Sequence, residues 1–273
     1  MQALLDLTHP INVRLLEETV QSLLRNENVA EADRVLSALK EHPEAYLYMD
    51  TVLDQSQCPN TKFFAFQVLE LAILTRWHVL PPEQRQGIRD YIVGFIVRTS
   101  NDPGHNDTVL SKADGTLVSI AKREWPQKWP TFVQEVVQSC THGERMASNS
   151  LLILRMLAEE IFQEGGERHM TSRWLAKKKA TLSRDVTMIM DACLTGLQGS
   201  PGVVRRALET IVVYLPIANE EIAFHPALHQ ALCRTLNSPL RQLALRSLTE
   251  VMQLTTTLDA HRRQVQLLLQ DVL

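Results

Sequence analysis

The sequence lacks a long hydrophobic run, a strong charge of one sign and any closely paired cysteines. No stretch approaches the roughly 18 consecutive apolar residues that a membrane-spanning helix needs. The amino terminus has no basic segment followed by an apolar core, as a signal peptide would. Lysine and arginine number 28 against 31 acidic residues, for a formal net charge of −3. That balance argues against nucleic acid as the main partner, because phosphate binding needs a basic excess. These absences predict a soluble, intracellular protein.

Motifs of catalysis and of metal binding are also missing. The chain has four widely spaced cysteines, Cys58, Cys140, Cys193 and Cys233. This spacing predicts small buried thiols in a reducing compartment and no disulfide framework. His225 and His229 have the i, i+4 spacing of zinc ligands, but zinc needs a third and usually a fourth ligand. We therefore interpret them as a helix-entry histidine and a surface histidine. No glycine-rich phosphate loop or nucleophile elbow occurs, so the sequence predicts no metal, no cofactor and no catalysis.

Apolar residues recur at helical spacing along almost the whole chain. The 12 prolines cluster where helices would begin, because the fixed φ of proline suits the first helical position. Asn60 stands where it could cap the most apolar of these helices. The pattern predicts about a dozen helices and no strand. They include Ile11–Leu24, Ala30–Leu39, Ala45–Leu53, Thr61–Trp77, Gln84–Val97, Val109–Glu124, Phe132–Ser139, Ser148–Phe162, Arg173–Leu197, Val203–Leu215, Leu240–Leu254 and Leu258–Leu273.

The second helices of successive pairs share one rhythm of small and medium apolar residues, at a loose period of about 40 to 50 residues. The rhythm is carried by Phe63–Leu71, Leu151–Glu159, Val204–Val212 and Arg241–Thr249. We therefore predict an all-α fold, a right-handed α-solenoid of HEAT-like antiparallel helix pairs, as a single array over residues 1–273. Residues 163–273 would hold further pairs, the last of them cut. That end would leave an uncovered apolar face at Val265, Leu268, Leu269 and Val272.

Two Trp-Pro steps stand four residues apart, between two of the predicted helices. Proline disfavours the α conformation in the residue before it, so each step predicts a helix end followed by a helix that begins at proline. Tryptophan supplies a large apolar surface for burial at such a corner. We predict a structural corner formed by Trp125, Pro126, Trp129, Pro130 and Phe132, and we favour packing there over a ligand pocket.

Several short segments carry a resemblance to a known family. They are Lys40–Ala45, Asn60–Glu70, Thr75–Trp77, Leu80-Pro81 and Lys122–Phe132. They resemble the amino-terminal part of the importin-β (karyopherin) family of nuclear transport receptors, and within it the exportins. The resemblance is dense from about Leu36 to Phe162 and weaker beyond, so residues 1–162 correspond to the amino-terminal arch of the family.

The resemblance implies a HEAT-repeat superhelix whose early second helices contact the small GTPase Ran in its GTP form. GTP would be carried by Ran and not by this chain. Export cargo and nucleoporins would be further partners, and the protein would shuttle between nucleus and cytoplasm. The candidate Ran-binding residues lie on the second helix of the second pair, where spacing places several of them on a polar stripe opposite the buried phenylalanines. They are Lys62, Gln67, Glu70 and Arg76.

Other interpretations stay open for these residues and for the chain. Each Ran candidate could belong to an ordinary solvated helix face. The basic run of Arg173, Lys177, Lys178 and Lys179 could contact an acidic partner or act as a localisation signal, but a solvated helix start is simpler. One alternative function is a helical-repeat scaffold without Ran affinity. Another is an enzyme, which would need clustered titratable groups in a pocket.

Overall fold

The computed structural model describes residues 1–162 and 172–254. Every regular element within those ranges is a helix, and the predicted all-α, helical-repeat fold is confirmed. The chain forms two compact units, one from Met1 to Ile120 and one from Ala121 onward. A single continuous array stays a prediction. Across the described part of the chain, no helix combines the length and hydropathy that a membrane crossing requires.

The first unit begins with two helix pairs and ends within its sixth α-helix. Its helices are α1 (Val13–Leu24), α2 (Val29–Glu41), α3 (Met49–Gln55), α4 (Pro59–Arg76), α5 (Pro82–Asn101) and α6 (Asp107–Glu124), with 3-10 turns at Gln2–Leu5 and Ala45–Tyr48. Helices α1 and α2 contact each other, as do α3 and α4, and α2 also packs on α4. Phe66 on α4 meets Phe95 on α5 edge to face, with ring centroids 5.2 Å apart. Helix α4 is therefore buried on more than one side.

The second unit repeats the same arrangement. Its helices are α7 (Phe132–Ser139), α8 (Glu144–Phe162), α9 (Ser172–Gly196), α10 (Pro201–Tyr214), α11 (Glu220–Ala223), α12 (Pro226–Leu236) and α13 (Arg241–Gln253), with a 3-10 turn at Leu215–Ile217. The second helices stack in the order α8, α10, α13, and the first helices in the order α7, α9, α12. Two hydroxyls join α10 to α8, because Thr210 donates to the Leu151 carbonyl at 3.0 Å and Tyr214 to the Leu154 carbonyl at 2.8 Å.

Prolines begin four of the described helices, and one predicted cap is wrong. Pro59, Pro82, Pro201 and Pro226 each occupy the first helical position, where the missing N–H breaks no helical hydrogen bond. Because Pro59 begins α4, Asn60 lies inside the helix and does not cap it. The predicted helix Leu258–Leu273 and the apolar face at Val265, Leu268, Leu269 and Val272 lie outside the described residues.

The Trp-Pro segment also differs from its prediction. Helix α6 ends at Glu124 and α7 begins at Phe132, so neither Pro126 nor Pro130 begins a helix. The seven residues between the helices form a turn instead. The hydroxyl of Thr131 donates to Oε1 of Glu135 at 2.6 Å, which ties the turn to the first turn of α7. Thr131 is the residue that precedes the helix, and its side chain makes no capping hydrogen bond to the backbone.

Candidate functional site

The four candidate residues on α4 face different neighbours and do not form one exposed stripe. The Nζ atom of Lys62 lies 6.0 Å from the centroid of the Phe95 ring on α5. The guanidinium of Arg76 donates to the Glu41 carbonyl, the last of α2, at 3.0 Å. A cation there is favourable, because the carboxyl end of a helix carries partial negative charge.

Glu70 is the polar link between α4 and α6. Its carboxylate accepts a hydrogen bond from Nζ of Lys112 and another, at 3.3 Å, from the hydroxyl of Thr116. The side chains of Lys112 and Glu70 are only 20% and 30% exposed. Of the four candidates, Gln67 alone is not joined to a neighbouring helix by any contact found among the described residues. Helical spacing alone did not reveal these contacts with neighbouring helices, and the role of the four residues in Ran binding stays a prediction.

The solvent-facing side of α4 is more apolar than the sequence suggested. Phe63, Gln67 and Leu74 lie four and seven residues apart, which places them on one side of the helix. Phe63 and Gln67 are half-buried, whereas Leu74 is 54% exposed. We call these three residues the exposed α4 face. Phe63 also lines an open depression with the start of α6, and Nζ of Lys112 lies 5.2 Å from its ring centroid. An amide, two apolar side chains and a nearby cation suit a mixed protein interface.

The Trp-Pro residues form packing and no cleft. Trp125 and Phe132 are almost fully buried, and Trp129 is 7% exposed. The rings of Trp129 and Phe132 lie 4.7 Å apart. Pro126 is half-buried and Pro130 is exposed. The best-formed cavities of residues 1–162 and 172–254 are lined by other residues.

The basic run at the start of α9 is not uniformly solvated, which corrects the simpler interpretation. Lys178 is fully buried, its Nζ donates to the Lys122 carbonyl, and that nitrogen lies 5.9 Å from the Trp125 ring centroid. Burial, reinforced by the cations of Lys122 and Arg123, lowers the pKa of Lys178 to about 7. Lys177 is exposed, as predicted for the whole run. Nothing is described for the side chain of Arg173.

The two histidines have separate structural roles. His225 caps α12, where its Nδ1 accepts the Ala227 N–H at 3.3 Å. His229 is 1% exposed, so its interpretation as a surface residue is wrong. No group of three or more potential metal ligands occurs among the residues that the structure describes. Cys193 and Cys233 are buried, whereas Cys58 and Cys140 are half-buried, and all four thiols are free.

Stacked helix pairs of this kind define a helical-repeat protein. Two family models match successive parts of this chain. One, described as Importin-beta N-terminal domain, matches residues 32–98, and the other, described as Exportin 1-like protein, matches residues 106–248. The second match covers more than half of the chain. The protein therefore belongs to the exportin 1-like family of importin-β-type receptors, which confirms the resemblance.

Curated relatives agree with this assignment. The chain is 36% identical to Exportin-1 of Drosophila melanogaster over 219 residues, which is 78% of this chain and 20% of that protein. It is 32% identical to Exportin-1 of Schizosaccharomyces pombe over 265 residues, covering 94% of this chain and 24% of the relative. Protein EXPORTIN 1B of Arabidopsis thaliana is 34% identical over 262 residues, or 93% of this chain and 24% of the relative. The chain thus spans between a fifth and a quarter of the length of these relatives.

Proposed function

We propose that this chain is the Ran-GTP-binding, amino-terminal part of a nuclear export receptor that carries protein cargo from nucleus to cytoplasm. The observation that supports it is the succession of an importin-β amino-terminal match and an exportin 1-like match along one chain. The proposed activity is binding, with GTP carried by Ran. Export cargo and nucleoporins are the other proposed partners, and the protein shuttles between the two compartments.

The exposed α4 face is the proposed Ran contact. Gln67, which the sequence predicted as a Ran contact, remains a proposed contact. Phe63 and Leu74 are proposed in place of the predicted residues whose polar groups hold α4 against its neighbours. Solvent-facing apolar side chains beside a polar group provide the anchor-and-rim composition of regulated interfaces. Lys62, Glu70 and Arg76 then act indirectly, because they keep α4 in position.

Selectivity for the GTP form comes from Ran, since its switch regions change order with the nucleotide. The helix pairs supply a preformed surface that fits one switch arrangement. Ran-GTP and cargo each favour one curvature of the helical array, so the two binding events are coupled and reciprocal. Hydrolysis of GTP on Ran removes the Ran-GTP state on which the coupling depends, and both Ran and cargo are then released.

The test is a titration of the full chain against Ran loaded with GTP or GDP, at two salt concentrations. We expect the GTP form to bind at least about tenfold more tightly, and binding to weaken with salt where charge steers association. Leu74→Asp should weaken binding by about tenfold or more, because it places a charge in the apolar centre. Val97→Asp on α5 is the matched control, since Val97 is also exposed, at 43%.

Equal affinity for the two nucleotide forms would overturn the proposal, as would an equal loss of affinity in the Leu74→Asp and Val97→Asp variants.

One observation favours a second candidate, a helical-repeat scaffold without Ran affinity. Three of the four sequence-predicted contact residues are engaged inside the chain, which leaves less polar surface for Ran. Complete absence of Ran binding by a folded chain would support that candidate.

A further inference from the structure

A groove in the second unit lies between α9 and the segment that leads into α12. Its walls come from one side of α9 and from residues between Asn219 and Leu228. Four apolar side chains, buried or half-buried, form its floor: Met190, Leu194, Ile222 and Leu228. Asp191 and Glu221 are exposed and form its rim. The groove therefore joins an apolar floor to an acidic edge.

The size of the groove points to a side chain as its occupant. Its cavity volume is about 240 Å³. Sites for drug-sized ligands and cofactors usually span roughly 300–1,000 Å³. A smaller space with an apolar floor suits one long side chain delivered by a partner protein.

The charges at the rim favour a cation. Neither Asp191 nor Glu221 forms an ion pair with any residue that the structure describes. Arg184, the closest basic residue before Asp191 on α9, stands seven positions earlier, roughly 10 Å along the axis. His225 also lines the groove, but its Nδ1 is occupied by the Ala227 N–H. Within the described part of the chain, the two carboxylates of the rim therefore have no ion-pair partner.

We propose that this groove binds an arginine side chain on an exposed segment of a partner protein. The methylene stem of the arginine lies along the floor of Met190, Leu194, Ile222 and Leu228, as long basic side chains do on apolar surfaces. The guanidinium lies between Asp191 and Glu221, where its planar donors match carboxylate oxygens. The groove is in the second unit and the exposed α4 face is in the first, so this proposal stands or fails separately from Ran binding.

The experiment uses the full chain with labelled methionine methyl groups and follows the Met190 signal by NMR. Met190→Leu identifies that signal. The probe is the capped peptide acetyl-Ala-Arg-Ala-amide, and the control is the same peptide with citrulline, which keeps the shape of arginine and lacks its charge. We expect a saturable shift of the Met190 signal with arginine, and at least about tenfold weaker binding with citrulline, because the cation supplies the charge-assisted hydrogen bonds.

A charge-matched pair of variants separates the groove from the general field of the protein. The double variant Asp191→Asn with Glu221→Gln should weaken binding of the arginine peptide by about tenfold or more. Glu83→Gln with Glu144→Gln removes two charges at exposed sites that do not line the groove and should leave binding within about twofold. Equal binding of arginine and citrulline peptides would overturn the proposal. So would equal weakening in the two double variants, or no Met190 shift at millimolar arginine peptide.

Discussion

The indole nitrogen of Trp129 donates a hydrogen bond to Oε2 of Glu135 across 3.0 Å. The other oxygen of the same carboxylate accepts from the hydroxyl of Thr131 at 2.6 Å. Glu135 therefore serves the buried indole and the start of α7 together. This arrangement favours tryptophan over another aromatic residue at position 129, because Glu135 supplies the hydrogen-bond partner of the buried indole N–H.

We expect Trp129→Ala to lower the free energy of unfolding by roughly 3–5 kcal/mol, as usual for a core aromatic. Trp129→Phe keeps most of the apolar surface and loses the hydrogen bond to Glu135. It should therefore lower the free energy of unfolding by less than Trp129→Ala does. Urea unfolding of the full chain measures both. Leu245→Ala, at a side chain that is 51% exposed in the same unit, should change stability little. A Trp129→Ala protein as stable as the parent would show that the corner contributes no packing energy.

The Tyr214 hydroxyl should have a measurable effect on stability. This residue is fully buried, and burial raises the pKa of its hydroxyl well above the usual value. Tyr214→Phe removes the bond to the Leu154 carbonyl and should cost about 0.5–1.5 kcal/mol. Tyr91→Phe is the matched control, because the Tyr91 hydroxyl bonds to Asp54 at an exposed position. Unfolding curves in which the two variants lose equal stability would contradict a special role for the α10–α8 contact.

A double-mutant cycle should show coupling between Glu70 and Lys112. Their side chains are mostly shielded from water, so we expect Glu70→Gln and Lys112→Met to be coupled by about 1 kcal/mol. The comparison pair is Arg14 and Glu18 on α1, whose side chains are 89% and 59% exposed. Exposed pairs four residues apart on a helix usually contribute only about 0.3–0.5 kcal/mol. Additive losses at Glu70 and Lys112 would rule out the ion pair as the link between α4 and α6.

Because of Lys178, we expect the free energy of unfolding to rise with pH above neutrality. Its folded-state pKa is lowered by burial to about 7, whereas an unfolded lysine titrates near about 10.4. Between those values the unfolded chain holds the proton and the folded chain has released it. The free energy of unfolding therefore increases with pH in that window, by at most about 1.4 kcal/mol per pH unit.

The measurement is urea unfolding between about pH 7 and 8, below the value of about 8.5 at which thiols of the unfolded chain ionise. Burial raises the pKa of Cys140 to about 11, and thiols of this kind act in the opposite direction at higher pH. Lys178→Met should flatten the pH dependence, whereas Lys177→Met at the exposed neighbouring position should preserve it. A Lys178→Met protein with the parental slope would show that another group causes the dependence.

Helix positions were largely predictable, because the information lies within each segment. Phe132–Ser139 was predicted to the residue, and apolar spacing located the other described α-helices of four or more turns to within a few positions. Errors arose where a local rule met a competing contact. At Asn60 the preceding Pro59 had already begun the helix. At the Trp-Pro steps, residues 125–131 form a turn, so neither proline begins a helix.

The candidate site was less predictable, because exposure depends on neighbours that are distant in sequence. The sequence placed Gln67 among the candidate contact residues and did not place Leu74 there. The structure leaves Leu74 more exposed than Gln67. Helical spacing places the apolar residues at positions 63 and 74 on the same side of α4 as Gln67, and this pattern could have revealed the mixed surface.

By itself the sequence determined the helical class, because backbone hydrogen bonds between residues four apart and the apolar period are both local properties. Only the tertiary structure decided which polar groups were free to bind. Glu70 meets Lys112 across 42 residues of chain, and Lys178 meets the Lys122 carbonyl across 56. Such partners come together only when helix pairs stack. Burial then makes an unmatched charge costly, so those groups hold the fold together and leave the partner-facing surface to others.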